Sequence, residues 1–195
     1  MVLRARKVGM LDPDAARERV LAAAEELFYA RGIQAVGMDA VRTASGVSLK
    51  RLYQMFPSKE DLVVSFLQQR DSRWLGRLTA AVEAHSDPRE RIPAVFDWLY
   101  SWFSEPDYRG CAFINSFGEL GGISPAVADQ ARHHKREFHA YLTELVGAAG
   151  YPAELAAHLA LLAEGAIVNS AIFGTPDPAT RAKQAALTLM QASGG

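Results

Sequence analysis

Lys50, Arg51 and Gln54 stand within five residues of one another, with Leu49 just before them and Tyr53 between. Ammonium, guanidinium and carboxamide groups at this spacing share the exposed side of one short helix. From there they reach base edges in a DNA major groove. The flanking residues supply such a helix. Val41, Val47, Leu52 and Phe56 are spaced so that two short helices pack across a tight turn. Gly46 suits the left-handed backbone that ends the first helix, and Ser48 is placed to cap the second. The same pattern also fits a structural helix pair with a solvated polar face, and spacing alone leaves both readings open.

A second set of reactive groups lies further along: Cys111, Ser116 and His134. A small helical hydrolase would use Cys111 or Ser116 with His134. No nucleophile elbow, paired His-Asp context or cofactor loop accompanies them, so no catalytic residue, cofactor or metal is expected. The single cysteine excludes an internal disulfide and a Cys-rich zinc site. Cys111 reads as a small buried hydrophobe rather than a redox sensor. His134 lies on an apolar stripe, as a core His or a pocket donor.

The elements that must position these groups are all helical. Asp12-Pro13 opens a first helix with Val20, Ala24, Leu27 and Phe28 inward, and Gly32 ends it. Short helices fit Met38 to Ser45 and Ser48 to about Phe56. Ser58-Lys59-Glu60-Asp61 reads as the start of a fourth, with Leu62, Phe66 and Leu78 inward, reaching about Ala84. Asp87-Pro88, a segment near Tyr108–Leu120, Ser124-Pro125, Tyr151-Pro152 and Asp177-Pro178 mark five more. Alternating period-two runs are missing, so the fold class is all-α with about nine helices.

Charge divides along the chain. Residues 1–60 are net +3 and the remainder net −4, although the 195 residues together carry −1. A basic head on an acidic body follows, with no apolar run long enough to span a bilayer and no signal peptide. We expect a cytoplasmic protein without a membrane partner. The expected domains are a flexible basic arm over 1–12, a helix-turn-helix domain over 13–57 and a ligand-binding and dimerisation domain over 58–195.

Residues 14–64 resemble the tetracycline-repressor (TetR) family of helix-turn-helix regulators. The resemblance rests on Ala24, Leu27, Phe28 and Gly32, then Met38-Asp39-Ala40-Val41, Ala44-Ser45-Gly46-Val47-Ser48 and Leu52-Tyr53. Phe56 and Ser58-Lys59-Glu60-Asp61-Leu62 complete it. It implies a third helix that reads the major groove of double-stranded operator DNA, a homodimer, and a C-terminal domain that binds a small molecule. With it, Tyr53 and Lys59 look like phosphate contacts, and Ser48 a cap, a phosphate contact or both. Leu49, Lys50, Arg51 and Gln54 face the groove. Some positions depart from the family pattern. Val36 and Gly37 replace the Ser or Thr common before Met38, Arg42 replaces a small residue and adds a cation able to reach DNA, and Arg51 replaces a frequent Thr.

In the body the segment Arg109-Gly110-Cys111-Ala112-Phe113-Ile114-Asn115 looks like one found in a broad TetR subgroup. Phe96, Tyr100, Phe103, Phe113, Phe117 and His134 are the candidate lining of a cavity for a small apolar or aromatic effector, against the alternative of ordinary core. Residues 153–173 are apolar nearly all round. Their small residues Ala156, Ala160 and Ala163, with Ile167, Ala186 and Met190, are the expected dimer interface. The leading expectation is a repressor released from its operator by that effector. An architectural DNA-coating protein is the third reading, and it would need a much larger basic surface.

Overall fold

The computed structural model describes residues 12–193. They form nine helices and, among the described residues, no strand: α1 Pro13–Arg31, α2 Met38–Ser45, α3 Leu49–Met55, α4 Lys59–Glu83, α5 Pro88–Phe103, α6 Ala112–Leu120, α7 Pro125–Ala148, α8 Glu154–Phe173 and α9 Asp177–Ser193. All but one residue of the expected basic arm lies outside the described residues.

Two compact units divide inside α4, after Phe66. The expected boundary at residue 57 lies before this division. The first turns of α4 bury Leu62, Val63 and Phe66 in the leading unit, and the Phe66 ring meets Phe28 of α1 edge-on at 5.8 Å. Ser58 and Asp61 start α4 by capping each other: the Asp61 N–H donates to Ser58 Oγ at 3.1 Å, and the Ser58 N–H donates to Asp61 Oδ2 at 3.0 Å. Asp12, by contrast, makes no side-chain cap on α1; Pro13 at the first helical position begins it instead.

In the second unit α8 packs on α9 and α7, α5 packs on α9, α7 and α8, and α6 packs on α7. Leu78, Ile92, Val95, Leu99, Val127 and Leu159 are fully buried there. Helix α6 begins at Ala112, not near Tyr108. Gly110 has a φ of 85°, which no helix tolerates, and the Asn115 amide donates to the Arg109 carbonyl at 2.9 Å to close the turn.

Helix α8 corrects one expectation and bears on a second. It is long and apolar enough to cross a membrane by length and composition, so the chain does contain such a run. Its small residues also do not face outward: Ala156, Ala160, Ala163 and Ile167 are buried inside the protomer, as are Ala186 and Met190 of α9. Alanines let α8 and α9 approach closely within one chain. The apolar side left open carries Leu161, Val168, Ile172 and Phe173, with Leu187 on α9.

Candidate DNA interface and effector site

The leading unit holds α3 rigidly and presents one side of it. Leu52 and Phe56 are fully buried, with Val41 and Val47 beneath them. Gly46 adopts φ 66° and ψ 18°, and its N–H donates to the Arg42 carbonyl at 3.0 Å. The Ser45 hydroxyl accepts from the Val47 N–H at 3.4 Å, and Ser48 Oγ accepts from the Arg51 N–H at 3.4 Å. Every backbone group of the tight turn that these bonds satisfy would otherwise compete for water. Leu49, Lys50, Tyr53 and Gln54 are exposed and Arg51 is half-buried. A concavity of about 480 Å³ runs beside the helix, bounded by Pro13, Gly46, Val47, Ser48, Lys50, Arg51 and Gln54. The Arg19 guanidinium lies against Gly46, 2.9 Å from where a Cβ would stand, and adds a further cation near this edge. Arg17 serves the packing of this unit. Its guanidinium sits over the Phe56 ring at 4.5 Å and donates to the Ser65 hydroxyl at 3.3 Å.

The second unit contains a cavity of about 430 Å³ between α6 and α7, lined by Phe113, Ile114, Phe117, Ala131, Arg132, Lys135 and Arg136. Beside its wall lies a group of titratable side chains drawn from three helices and from the N-cap of α6. Asp71 Oδ1 on α4 is 2.6 Å from His134 Nδ1 on α7. The His134 ring stacks on Phe113 of α6, 3.8 Å between centroids and 10° between planes. Lys135 Nζ is 3.7 Å from Cys111 Sγ and donates to both carboxylate oxygens of Glu164 on α8 at 2.7 Å. Burial alone would push the Cys111 thiol up. The hydrogen bond from His134, the charges of Lys135 and His134 and the Ile114 backbone N–H outweigh it, so the thiol lies below its ordinary value. Burial alone would likewise pull His134 down, but its hydrogen bonds to Asp71 and Cys111 raise it above the usual imidazole value.

Comparison with known proteins decides the family. Residues 20–66 match the bacterial regulatory proteins of the tetR family, and residues 88–186 match the tetracyclin repressor-like C-terminal domain. The chain belongs to the TetR family. Among curated relatives, the HTH-type transcriptional activator FasR of Mycolicibacterium smegmatis is 34% identical over 127 residues, covering 65% of this chain and 57% of FasR. The HTH-type transcriptional regulator LmrA of Bacillus subtilis is 32% identical over 89 residues, 45% of this chain and 47% of LmrA. These matches span about half of the relatives' length. Among solved structures, a TetR-family transcriptional regulator from Streptomyces coelicolor superposes with a TM-score of 0.85 at 27% identity, over 93% of this chain and 97% of that one. A TetR transcriptional regulator from Chloroflexus aurantiacus shares the fold, with a TM-score of 0.81 at 24% identity over 93% and 97% of the two chains.

For this TetR-family chain the expected DNA-facing residues fall on one unit. Ser48, Leu49, Lys50, Arg51, Tyr53 and Gln54 belong to α3 or its cap, and Lys59 opens α4. Arg42 is half-buried on α2, and its Nε is 3.1 Å from Asp39 Oδ1. Such a surface pair is worth only about 0–1 kcal/mol, little against a phosphate contact.

The expected effector residues divide. Phe113 and Phe117 line the α6/α7 cavity, with Phe117 exposed. Phe96 and Phe103 are buried core residues of α5, and Tyr100 is exposed on the same helix. His134 is not among the residues lining the cavity and stacks on Phe113, which is. The paired His-Asp context that the sequence does not display is present, because Asp71 reaches His134 across 63 residues. A signal for it existed. Leu67, Asp71, Trp74 and Leu78 recur at helical spacing, so a carboxylate interrupts an apolar stripe and needs a partner. Lys135 and Glu164 join the cluster too, and sequence reasoning missed both.

Proposed function

We propose that this TetR-family transcription regulator is a homodimeric repressor that reads its operator through α3 and leaves it when a small apolar molecule fills the α6/α7 cavity. The observation that carries the reading is the row of Lys50, Arg51 and Gln54, the first and last exposed and Arg51 half-buried, on a short helix whose opposite side is locked by Leu52 and Phe56. Rigid placement is what base readout requires, because a hydrogen bond to a base edge tolerates little error. Tyr53, Lys59 and the Ser48 hydroxyl contact phosphates and set register. Arg42 exchanges Asp39 for a phosphate. Leu161, Val168, Ile172, Phe173 and Leu187 supply the dimer contact, since an open apolar row on two adjacent helices is costly in water.

The cavity is suited to an apolar or aromatic effector, with Phe113 and Phe117 as its aromatic wall. A ligand changes DNA affinity only if it binds one state of the regulator better than the other. Phe113, His134 and Asp71 form the route by which this difference reaches α4. That helix contributes Leu62, Val63 and Phe66 to the first core and Trp74, Leu78 and Val82 to the second.

The test is selection of bound fragments from a pool of random duplexes, then repetition with apolar ligands present. A defined two-fold operator and its loss on ligand addition are expected. Recovery of unrelated fragments at equal efficiency would refute sequence-specific function. The name of FasR favours a second reading, activation, in which the same ligand strengthens binding; transcription in vitro from the selected operator separates the two.

A further inference from the structure

We propose that Cys111 is a covalent acceptor for small apolar electrophiles of the α,β-unsaturated carbonyl class, reached through the α6/α7 cavity. The proposal rests on the reading of that cavity as the effector site and adds the chemistry of its ligand.

Cys111 is the only cysteine of the chain, and its surroundings are not those of a packing residue. It occupies the N-cap position of α6, with the Ile114 N–H on the side of its sulfur. Two cations converge on the same sulfur. Lys135 Nζ lies 3.7 Å away. His134, whose Nδ1 is engaged by Asp71 at 2.6 Å, offers its other ring nitrogen. Each cation is itself fixed by a carboxylate: Asp71 holds His134, and Glu164 holds Lys135 through both oxygens. His133, exposed on α7, places its Nε2 3.6 Å from the other oxygen of Asp71. Five side chains from three helices, α4, α7 and α8, thus stabilise a thiolate at the N-cap of α6 and orient the acid beside it. His134 and Cys111 are buried and Asp71, Lys135 and Glu164 partly so; such groups are costly in an apolar core unless they are mutually satisfied.

The cavity gives the cluster an entrance. Phe113 and Lys135 belong both to its wall and to the surroundings of the thiol. Cys111 is 4% exposed, so bulky or strongly hydrated reagents are excluded. Phe113, Ile114, Phe117 and Ala131 favour an aryl or alkyl substituent on the incoming molecule.

The step balances without a further reactant. The Cys111 thiolate attacks the β-carbon and forms a C–S bond. The π pair of the C=C bond moves towards the carbonyl, and the His134 imidazolium returns a proton to the α-carbon. The sum is addition of one thiol to one alkene, with no leaving group and no outside oxidant or reductant. His134 ends neutral, so its bond to Asp71 on α4 loses one of its two charges. Adduct formation thereby alters the contact that joins α7 to α4.

The experiment is intact-mass analysis of the full chain treated with cinnamaldehyde, with iodoacetate as the hydrated, charged control. One cinnamaldehyde adduct is expected on the wild type and none on Cys111→Ser. Iodoacetate should label the native chain at least about tenfold more slowly than the chain unfolded in urea. The rate–pH profile with cinnamaldehyde should have its midpoint below that of the unfolded chain, and Asp71→Asn should return it towards the unfolded profile. A merely structural role of Asp71 would not move this midpoint. Phe117→Trp leaves the thiol cluster intact and narrows the entrance, so it should slow the adduct at least about tenfold. Labelling by cinnamaldehyde only after unfolding, or equally fast labelling of native and Phe117→Trp protein, overturns the proposal. An adduct that leaves operator binding unchanged would uphold the acceptor site and refute the cavity as effector site. No adduct, with operator release by non-covalent apolar ligands, would do the reverse.

Discussion

His134 Nδ1 and Asp71 Oδ1 lie 2.6 Å apart, and this bond ties α7 to α4 inside the second unit. The imidazole is buried and stacked on Phe113. Its position is therefore set on one side by the cavity wall and on the other by the carboxylate.

The pair makes stability depend on pH. Burial lowers His134, yet its hydrogen bonds to Asp71 and Cys111 raise it above the unfolded value. The stability that this provides is fully present below about pH 6.5 and is lost as pH rises through the folded value. Cys111 is depressed, so its contribution has the opposite sense: present above its unfolded value and lost as pH falls through the folded one. Asp71→Asn removes the partner of His134 and should cost about 1.5–3 kcal/mol at pH 6. Urea unfolding should show a smaller cost at pH 9. A cost that grows with pH would contradict the assignment.

The proposed dimer face separates two kinds of substitution. Leu161→Arg and Ile172→Arg place charge on the exposed side of α8. They should yield folded monomers by light scattering, with full helical signal. Ala160→Arg forces charge into the protomer core and should unfold the second unit instead. Dimers of unchanged mass for both exposed variants would move the interface elsewhere.

These contrasts mark what the residues disclose before folding. The ends of α2, α3 and α4 were legible because Gly46, Ser48 and Ser58-Asp61 carry their own start and stop chemistry. The placement of Lys50, Arg51 and Gln54 together on α3 was legible for the same reason, since three residues of one short helix define it. The body was harder. Alanine is equally at home between α8 and α9 of one chain or between two chains, so Ala156, Ala160 and Ala163 gave no direction. The α6/α7 cavity and the Asp71, Cys111, His134 and Lys135 cluster depend on helices far apart in sequence, and aromatic composition alone drew Phe96 and Phe103 into the same group.

Gly46 offers a test of the turn. At φ 66° a side chain costs about 1–2 kcal/mol, and a Cβ there would also displace the Arg19 guanidinium. Gly46→Ala should lower the stability of the leading unit by that amount and weaken operator binding, as followed by thermal unfolding and gel shift. An unchanged melting curve would show that the turn is not strained by a side chain.

Occupation of the cavity should stabilise the second unit. A ligand at one hundred times its Kd adds about 2.7 kcal/mol if it binds only the folded state. Phe117→Trp fills space in the cavity and should raise the Kd of apolar ligands more than about tenfold while leaving ligand-free operator binding intact. Calorimetry on both proteins decides; equal affinity would place the ligand elsewhere.

The division of labour on the recognition surface is the central claim, and a salt-dependent DNA titration tests it most directly. Lys59→Ala should weaken selected operator and random duplex alike, and should flatten the salt dependence by about one counterion for each phosphate no longer neutralised. Arg51→Ala and Gln54→Ala, ranked ahead of Lys50→Ala because their groups can hold one base through two hydrogen bonds, should cost roughly 1–3 kcal/mol on the operator and much less on random duplex. Equal proportional losses on operator and random DNA for all three α3 variants would mean that none of them reads sequence, and would contradict the placement of α3 in the major groove.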